Sequence, residues 1–210
     1  MALNSFFSRL ISVATLGLAA LLPLSAQAQK AAFTTVNPAQ PSDTPGKVEV
    51  LEFFAYGCPH CATMEPMVEK WEKTLPENVV LRRVPVSFNA SMADHQRLYF
   101  VLESLGRLDL HPKVFDVLHK ERKRMYDVAA IGEWLATQGI DKATYEATAR
   151  SFGVTSKVGR ANELAKAYDI QGTPTLGVAG QYTTSPSMTG SYDGALTQAR
   201  KLLDEALKGK

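Results

Sequence analysis

The chain has 210 residues, 45% of them hydrophobic, and its 23 lysines and arginines stand against 21 acidic side chains for a formal net charge of +2. So even a balance argues against a nucleic-acid partner, and the length and apolar content fit one domain with a sizeable core rather than a disordered chain. The two cysteines, Cys58 and Cys61, are too few for a framework of several bridges.

Residues 1–28 read as a signal peptide. Arg9 is the only charge before Lys30, Leu10 to Leu24 is an apolar run interrupted by Pro23, and Ala26-Gln27-Ala28 offers small residues where a signal peptidase reads. About 15 apolar residues fall short of the roughly 20 that a spanning helix needs. Cleavage is expected after Ala28, leaving a soluble chain of net charge +1 in an oxidising, extracytoplasmic space.

Lys30 to Lys47, with Pro38, Pro41 and Pro45, reads as an extended arm that pairs briefly through Phe33 to Val36. Val48 to Tyr56 is a β-rich run, apolar on both faces, as a strand in the middle of a sheet would be. After the dithiol, Met64, Met67, Val68, Trp71 and Leu75 recur at helical spacing until Pro76, with Pro66 expected to kink the helix. Val79 to Phe88 is predicted as a second strand.

Three helical stripes follow: Leu98, Val101, Leu102 and Leu105; Val114, Phe115, Val117 and Leu118; Val128, Ile131 and Leu135. Breaks are expected at Gly106, Pro112, Gly139 and Gly153. Thr175 to Val178 and Gln181 to Thr184 read as a hairpin about Ala179-Gly180, and Tyr192 to Leu207 as a terminal amphipathic helix. The pattern predicts an α/β sheet domain, residues 29–88 and 156–210, split by an all-helical insertion at 89–155.

Both cysteines lie in Cys58-Pro59-His60-Cys61, on the first turn of a helix that follows a strand. A helix N-terminus has unpaired N–H groups and about half a positive charge, so a thiolate on Cys58 is favoured there. Cys61, nearly one turn inside, is the candidate resolving thiol. Pro59 fixes the backbone where its missing N–H costs least, and His60 offers a ring N–H or a positive charge to the Cys58 thiolate. A stabilised thiolate lowers the free energy of the reduced form, by about 1.4 kcal/mol or about 30 mV for each pKa unit below ambient pH, and makes the disulfide a stronger oxidant.

Two other readings of the motif are open. A purely structural disulfide across so small a loop would remove little denatured-state entropy. A zinc or copper site on Cys58, Cys61 and His60 lacks a fourth ligand, because His95, His111 and His119 lie in the helical insertion without metal spacing and read as surface or packing residues.

The run Phe53-Phe54-Ala55-Tyr56-Gly57-Cys58-Pro59-His60-Cys61, with Gly172-Thr173-Pro174 downstream and a helical insertion between, resembles the thioredoxin superfamily and, within it, the DsbA group of bacterial periplasmic thiol:disulfide oxidoreductases. The resemblance covers essentially all of the chain after Ala28. It implies a thioredoxin-like fold, a central mixed sheet flanked by helices, and a disulfide oxidase of the periplasm. That enzyme would act on reduced or unfolded secreted proteins without metal or other cofactor, as a monomer, and be reoxidised by a quinone-linked membrane oxidase of the DsbB type.

The resemblance also implies that Thr173-Pro174 is a cis peptide facing the dithiol and pairing with extended substrate; from sequence alone, an ordinary turn fits equally. Thr173 replaces the aliphatic residue frequent in the family's oxidases and matches isomerases, and its hydroxyl is placed to retune the couple. A reductase or isomerase of the same fold is therefore the alternative, with a non-redox metal- or peptide-binding module behind it. Family isomerases carry a dimerisation domain for which some 18 residues before Val48 leave no room.

Glu52 is a carboxylate among Val, Leu and Phe and shares a strand face with Val50 and Phe54. The resemblance places it beneath the dithiol beside Arg83, as a proton donor and acceptor for Cys61; the alternative is a surface pair with Arg82 or Arg83. Lys120 to Arg124 reads as a solvated charge run, Trp71 and Trp134 as packing residues, and Phe54, Tyr56 and Met64 either as an apolar landing surface or as core.

Overall fold

A computed structural model of the chain describes residues 31–209; the expected signal peptide and its cleavage site lie outside the described residues. Strand β2 (Val48–Phe54) is the spine of the molecule, and all seven of its residues are buried. The strands β1 (Thr34–Thr35), β3 (Val79–Pro85), β4 (Thr175–Val178) and β5 (Tyr182–Thr184) complete a mixed sheet in the order β1-β5-β4-β2-β3. Only the β2–β3 pair is parallel.

Period-two alternation divides the work of β2. Val48 and Val50 face helix α1 (Pro59–Glu72) and helix α8 (Tyr192–Lys208), joining Met64, Val68, Leu176, Leu196 and Leu202. Leu51 and Phe53 point the other way, into a core shared with the insertion and with α6 (Phe152–Ala167). The insertion contributes α2 (Ala93–Ser104), α3 (His111–Phe115) running into a π-turn over Asp116–Lys120, α4 (Val128–Thr137) and α5 (Lys142–Ala149); α7 (Pro186–Thr189) is a single turn before α8. This is the thioredoxin-type sheet with a helical insertion that the resemblance implies.

Among the described residues, four of the α-helices start on a side-chain cap. The side chains of Asp127, Asp141, Ser151 and Ser191 accept from the backbone N–H groups of Ala130, Thr144, Val154 and Gly194, and start α4, α5, α6 and α8. The hairpin closes through Ala179 and Gly180, both at positive φ. The N-terminal arm pairs as expected, Thr34 and Thr35 lying opposite Thr183 and Tyr182.

Two expectations need correction, and one open alternative is decided. β3 ends at Pro85 rather than Phe88: its partner β2 ends at Phe54, and the Val86 N–H, donating to Phe54 O at 2.7 Å, makes the last bond between them. Gly153 is no break: Ser151 caps α6, and Gly153 lies in its first turn, where a glycine costs little. The helix then runs without interruption through residue 155. Phe54, Tyr56 and Met64 form no landing surface, being 0%, 1% and 0% exposed. Lys120 to Arg124 is exposed, and Trp71 and Trp134 are half-buried against the cores, as read. Among the described residues no helix is long and apolar enough to cross a membrane.

Gly177, at the centre of β4, shows how tightly the sheet is covered. A Cβ there would stand 2.8 Å from the Tyr168 ring and 3.1 Å from Phe53. The expected result for Gly177→Ala is a stability loss of about 1–3 kcal/mol, read from the urea midpoint at unchanged slope.

Candidate active site

Strand β2 stops at Phe54 and a turn over Ala55, Tyr56 and Gly57, closed by the Cys58 N–H donating to Ala55 O at 3.0 Å, delivers Cys58 to the N-cap of α1. Cys58 is extended (φ −87°, ψ 115°), with Pro59 as the first helical residue, so the sulfur looks back at the free N–H groups of the first turn. Both cysteines are reduced; Cys58 is half-buried and Cys61 is buried.

That difference in surroundings separates the two thiols. The Cys61 thiol, then Thr173 and the backbone N–H groups of Cys61 and His60 stabilise a negative Cys58 sulfur against its partial burial, and its pKa falls to about 5. Burial comes first for Cys61, and the neighbouring Cys58 charge adds to it, so the Cys61 thiol is pushed far up and keeps its proton. The Thr173–Pro174 peptide is cis, and Cys58 Sγ lies 3.3 Å from Thr173 O. Thr173, set apart in the sequence for its hydroxyl, meets the sulfur through its backbone carbonyl and through its side chain.

His60 lies elsewhere than its sequence position suggests. Its exposed imidazole is engaged by Tyr192, with Nδ1 2.7 Å from the phenol oxygen, while its backbone N–H serves Cys58. His60 and Tyr192 stand at the edge of a groove of about 940 Å³ that also takes in Thr173, Pro174, Ile170 and Met188. Tyr192 had no motif to mark it.

Glu52 is wholly buried, which removes the surface-pair reading; Arg82 binds Glu49 instead, at 2.8 Å. Register sets Glu52 directly opposite Arg83, whose Nε is 3.4 Å from its carboxylate. Burial, and then the charge of Glu65 on α1, hold the Glu52 carboxyl well above the usual range against the pull of Arg83. Burial also pushes Glu65 up, but His111 and Arg83 outweigh it and keep that carboxyl below the ordinary range.

The three histidines of the insertion converge on Tyr56, two residues before Cys58. His111 Nδ1 is 2.7 Å from the Tyr56 hydroxyl, His119 Nε2 donates to the Tyr56 carbonyl at 2.7 Å, and the His95 ring stands 6.3 Å from the Tyr56 ring. They are packing residues, as read, but packed around the turn that carries the dithiol. Only tertiary contact makes them a group.

A thioredoxin-type sheet, a helix-capping thiol of low pKa, a buried thiol one turn on and a cis-proline loop against the first sulfur together define a thiol:disulfide oxidoreductase. The family model described as "DSBA-like thioredoxin domain" matches residues 49–193, and the chain belongs to this DsbA family. It is 51% identical over 207 residues to the thiol:disulfide interchange protein DsbA of Bordetella pertussis, covering 98% of this chain and 99% of that protein. The namesake from Pseudomonas aeruginosa is 34% identical over 201 residues, covering 93% and 95%. A crystal structure of P. aeruginosa DsbA superposes with a TM-score of 0.81 at 33% identity, over 85% of this chain and 94% of that one. The oxidoreductase NmDsbA1 of N. meningitidis gives 0.74 at 26%, over 85% and 93%.

A thiol whose pKa is depressed in the fold contributes stability that is full above its unfolded value and vanishes as pH falls through the folded one. Cys61, shifted upward, stays protonated throughout that window. The unfolding free energy of the reduced protein, relative to the oxidised, is therefore expected to rise between about pH 5 and about pH 9. Paired denaturant titrations read it, and a flat difference contradicts the assignment.

Proposed function

We propose that the chain is a periplasmic protein disulfide oxidase, exported by residues 1–28 with cleavage after Ala28, that donates its Cys58–Cys61 disulfide to reduced or unfolded secreted proteins. The observation that carries this reading is the opposed state of the two thiols: Cys58 is stable as a thiolate and Cys61 as a thiol, so reduction of their disulfide is downhill.

A substrate thiolate attacks the Cys58 sulfur; the new S–S bond forms as the Cys58–Cys61 bond breaks, and its electron pair stays on Cys61. Glu52 supplies the proton that neutralises the Cys61 sulfur. A second substrate thiolate then attacks the first substrate sulfur and expels Cys58 as a thiolate, which the N-terminus of α1, set by Pro59, stabilises. His60 borders the entry of the nucleophile, and Thr173 and Pro174 line the groove in which an extended substrate lies. A DsbB-like, quinone-linked membrane oxidase restores the disulfide, and the enzyme works as a monomer. The sheet portions 29–88 and 156–210 carry this chemistry, with 89–155 folded over the turn before Cys58. The Thr173 contact adds to the stability of the Cys58 thiolate, and so supports the oxidase over a reductase or isomerase of the same fold.

The test is to mix the oxidised protein with a reduced, unfolded protein that has native disulfides. Disulfide transfer is expected at near one-to-one stoichiometry; Cys61→Ser, its Cys58 first loaded as a mixed disulfide with glutathione, should exchange that partner for the substrate and release glutathione, and Cys58→Ser treated in the same way should not. Oxidised Glu52→Gln should form the mixed disulfide about 10²-fold more slowly. A protein that reduces disulfides but does not transfer its own places the chain with the reductases.

A further inference from the structure

The space beneath α1 holds more charge than the sulfur chemistry uses. Glu52, Glu65 and His111 are 0%, 2% and 3% exposed. Arg83 reaches both carboxylates, donating to Glu65 from Nε at 3.1 Å and Nη2 at 2.8 Å, with Nε 3.4 Å from Glu52. A third contact, to Glu72 at 3.2 Å, lies where water compensates the charge. One guanidinium between two buried carboxylates leaves the group one positive charge short, and net charge held away from water is strongly disfavoured.

One proton restores neutrality, and two groups are placed to hold it. Glu65 is committed to Arg83 by two hydrogen bonds. Glu52 has no completed hydrogen bond on either oxygen. His111 Nε2 faces Glu65 Oε2 at 3.2 Å, and neither atom completes a hydrogen bond. A proton on Glu52 leaves Arg83 to Glu65; a proton on His111 neutralises Glu65 and leaves Arg83 to Glu52. The two arrangements carry the same total charge.

The other groups facing His111 leave these seats intact. Tyr56, from the active-site turn, bonds Nδ1; its phenol is pushed far up by burial and keeps its proton. The Tyr99 ring on α2 is 5.4 Å away, and its phenol is likewise pushed up by burial. Phe54 and Phe115 supply uncharged rings on the remaining sides. A groove of about 480 Å³, lined by His111 and Glu65 with Glu69, Glu72 and Lys73 at its margin, connects the cluster to solvent and shares no residue with the groove beside Cys58.

We propose that His111 is the second seat of a single buried proton: as Glu52 gives its proton to Cys61, His111 takes one from solvent through this groove, and the cluster stays neutral. The step rests on the role given to Glu52 above. Electrons move only between sulfurs; the proton lost from Glu52 appears on Cys61, and the one gained by His111 comes from water. His111 touches neither substrate nor sulfur and is a positioning residue. Substrate therefore enters on one face and the compensating proton on another.

The test is made on the resting, oxidised full chain, where no exchange chemistry intervenes. The infrared carbonyl band of a buried carboxylic acid, assigned by its loss in Glu52→Gln, is followed against pH. In His111→Asn the band should persist to a pH about one unit higher, because no imidazolium competes for the proton. Identical midpoints overturn the shared proton. If His111→Asn does not fold, the His111 ring-nitrogen resonances of the wild type decide: a step coincident with the infrared transition is expected and should vanish in Glu52→Gln. A single step, unchanged in that variant, overturns the proposal. A wild-type rate of mixed-disulfide formation by oxidised Glu52→Gln would instead overturn the role of Glu52 and the catalytic half of this inference, leaving the resting titrations to report on proton sharing alone.

Discussion

Two sulfurs that must bond to each other are held in opposite electrostatic surroundings, and the rest of the site depends on that contrast. It arises where β2 ends. The strand is buried to its last residue, and a three-residue turn then brings the chain to the start of α1. Cys58 meets unpaired N–H groups at the helix N-cap, whereas Cys61, three residues on, has rotated into the core. Backbone dipoles reward a charge at the first position, and desolvation penalises one at the second. Breaking the disulfide leaves each sulfur in the state its place prefers, so the fold itself supplies the driving force for accepting electrons.

Holding the turn in place is the task of the insertion. Tyr56 is gripped through its hydroxyl by His111 and through its carbonyl by His119, while its ring packs against Phe54, His111 and Phe115. Both histidines come from α3 and the π-turn that continues it, an irregularity of the kind found where side chains must be re-aimed. The helical lid is thus wired to the dithiol two residues away. The same His111 reaches Glu65 on α1, so the insertion, the sheet and the catalytic helix meet in one buried polar chain.

Much of this could be read along the chain. The apolar run of β2, the helical periodicity of α1 and α8 and the hairpin about Ala179-Gly180 are local signals, and each produced its element. Where the strand prediction failed, a partner ran out rather than a propensity: Val86 to Phe88 looks like strand, but after the Val86 bond to Phe54 O the strand β2 has ended. Phe54, Tyr56 and Met64 lie near the dithiol in sequence, yet all three turn inward, Phe54 and Tyr56 into the core shared with the insertion and Met64 into the core between the sheet and α8.

The sequence by itself determined the chemistry available: one dithiol at a helix start, a proline loop far downstream, and a carboxylate in a strand that had no room for one. It could do so because strand period, helix period, capping and the dipole of a helix end act over a few residues. Only the tertiary structure decided which groups surround each of these. His60 turns to Tyr192, Thr173 reaches the Cys58 sulfur, Arg83 spans two carboxylates, and three histidines from separate turns close on Tyr56. These contacts join residues up to 132 positions apart. The energies involved, desolvation and charge pairing, depend on distance in space and burial, quantities that do not exist until the chain has folded.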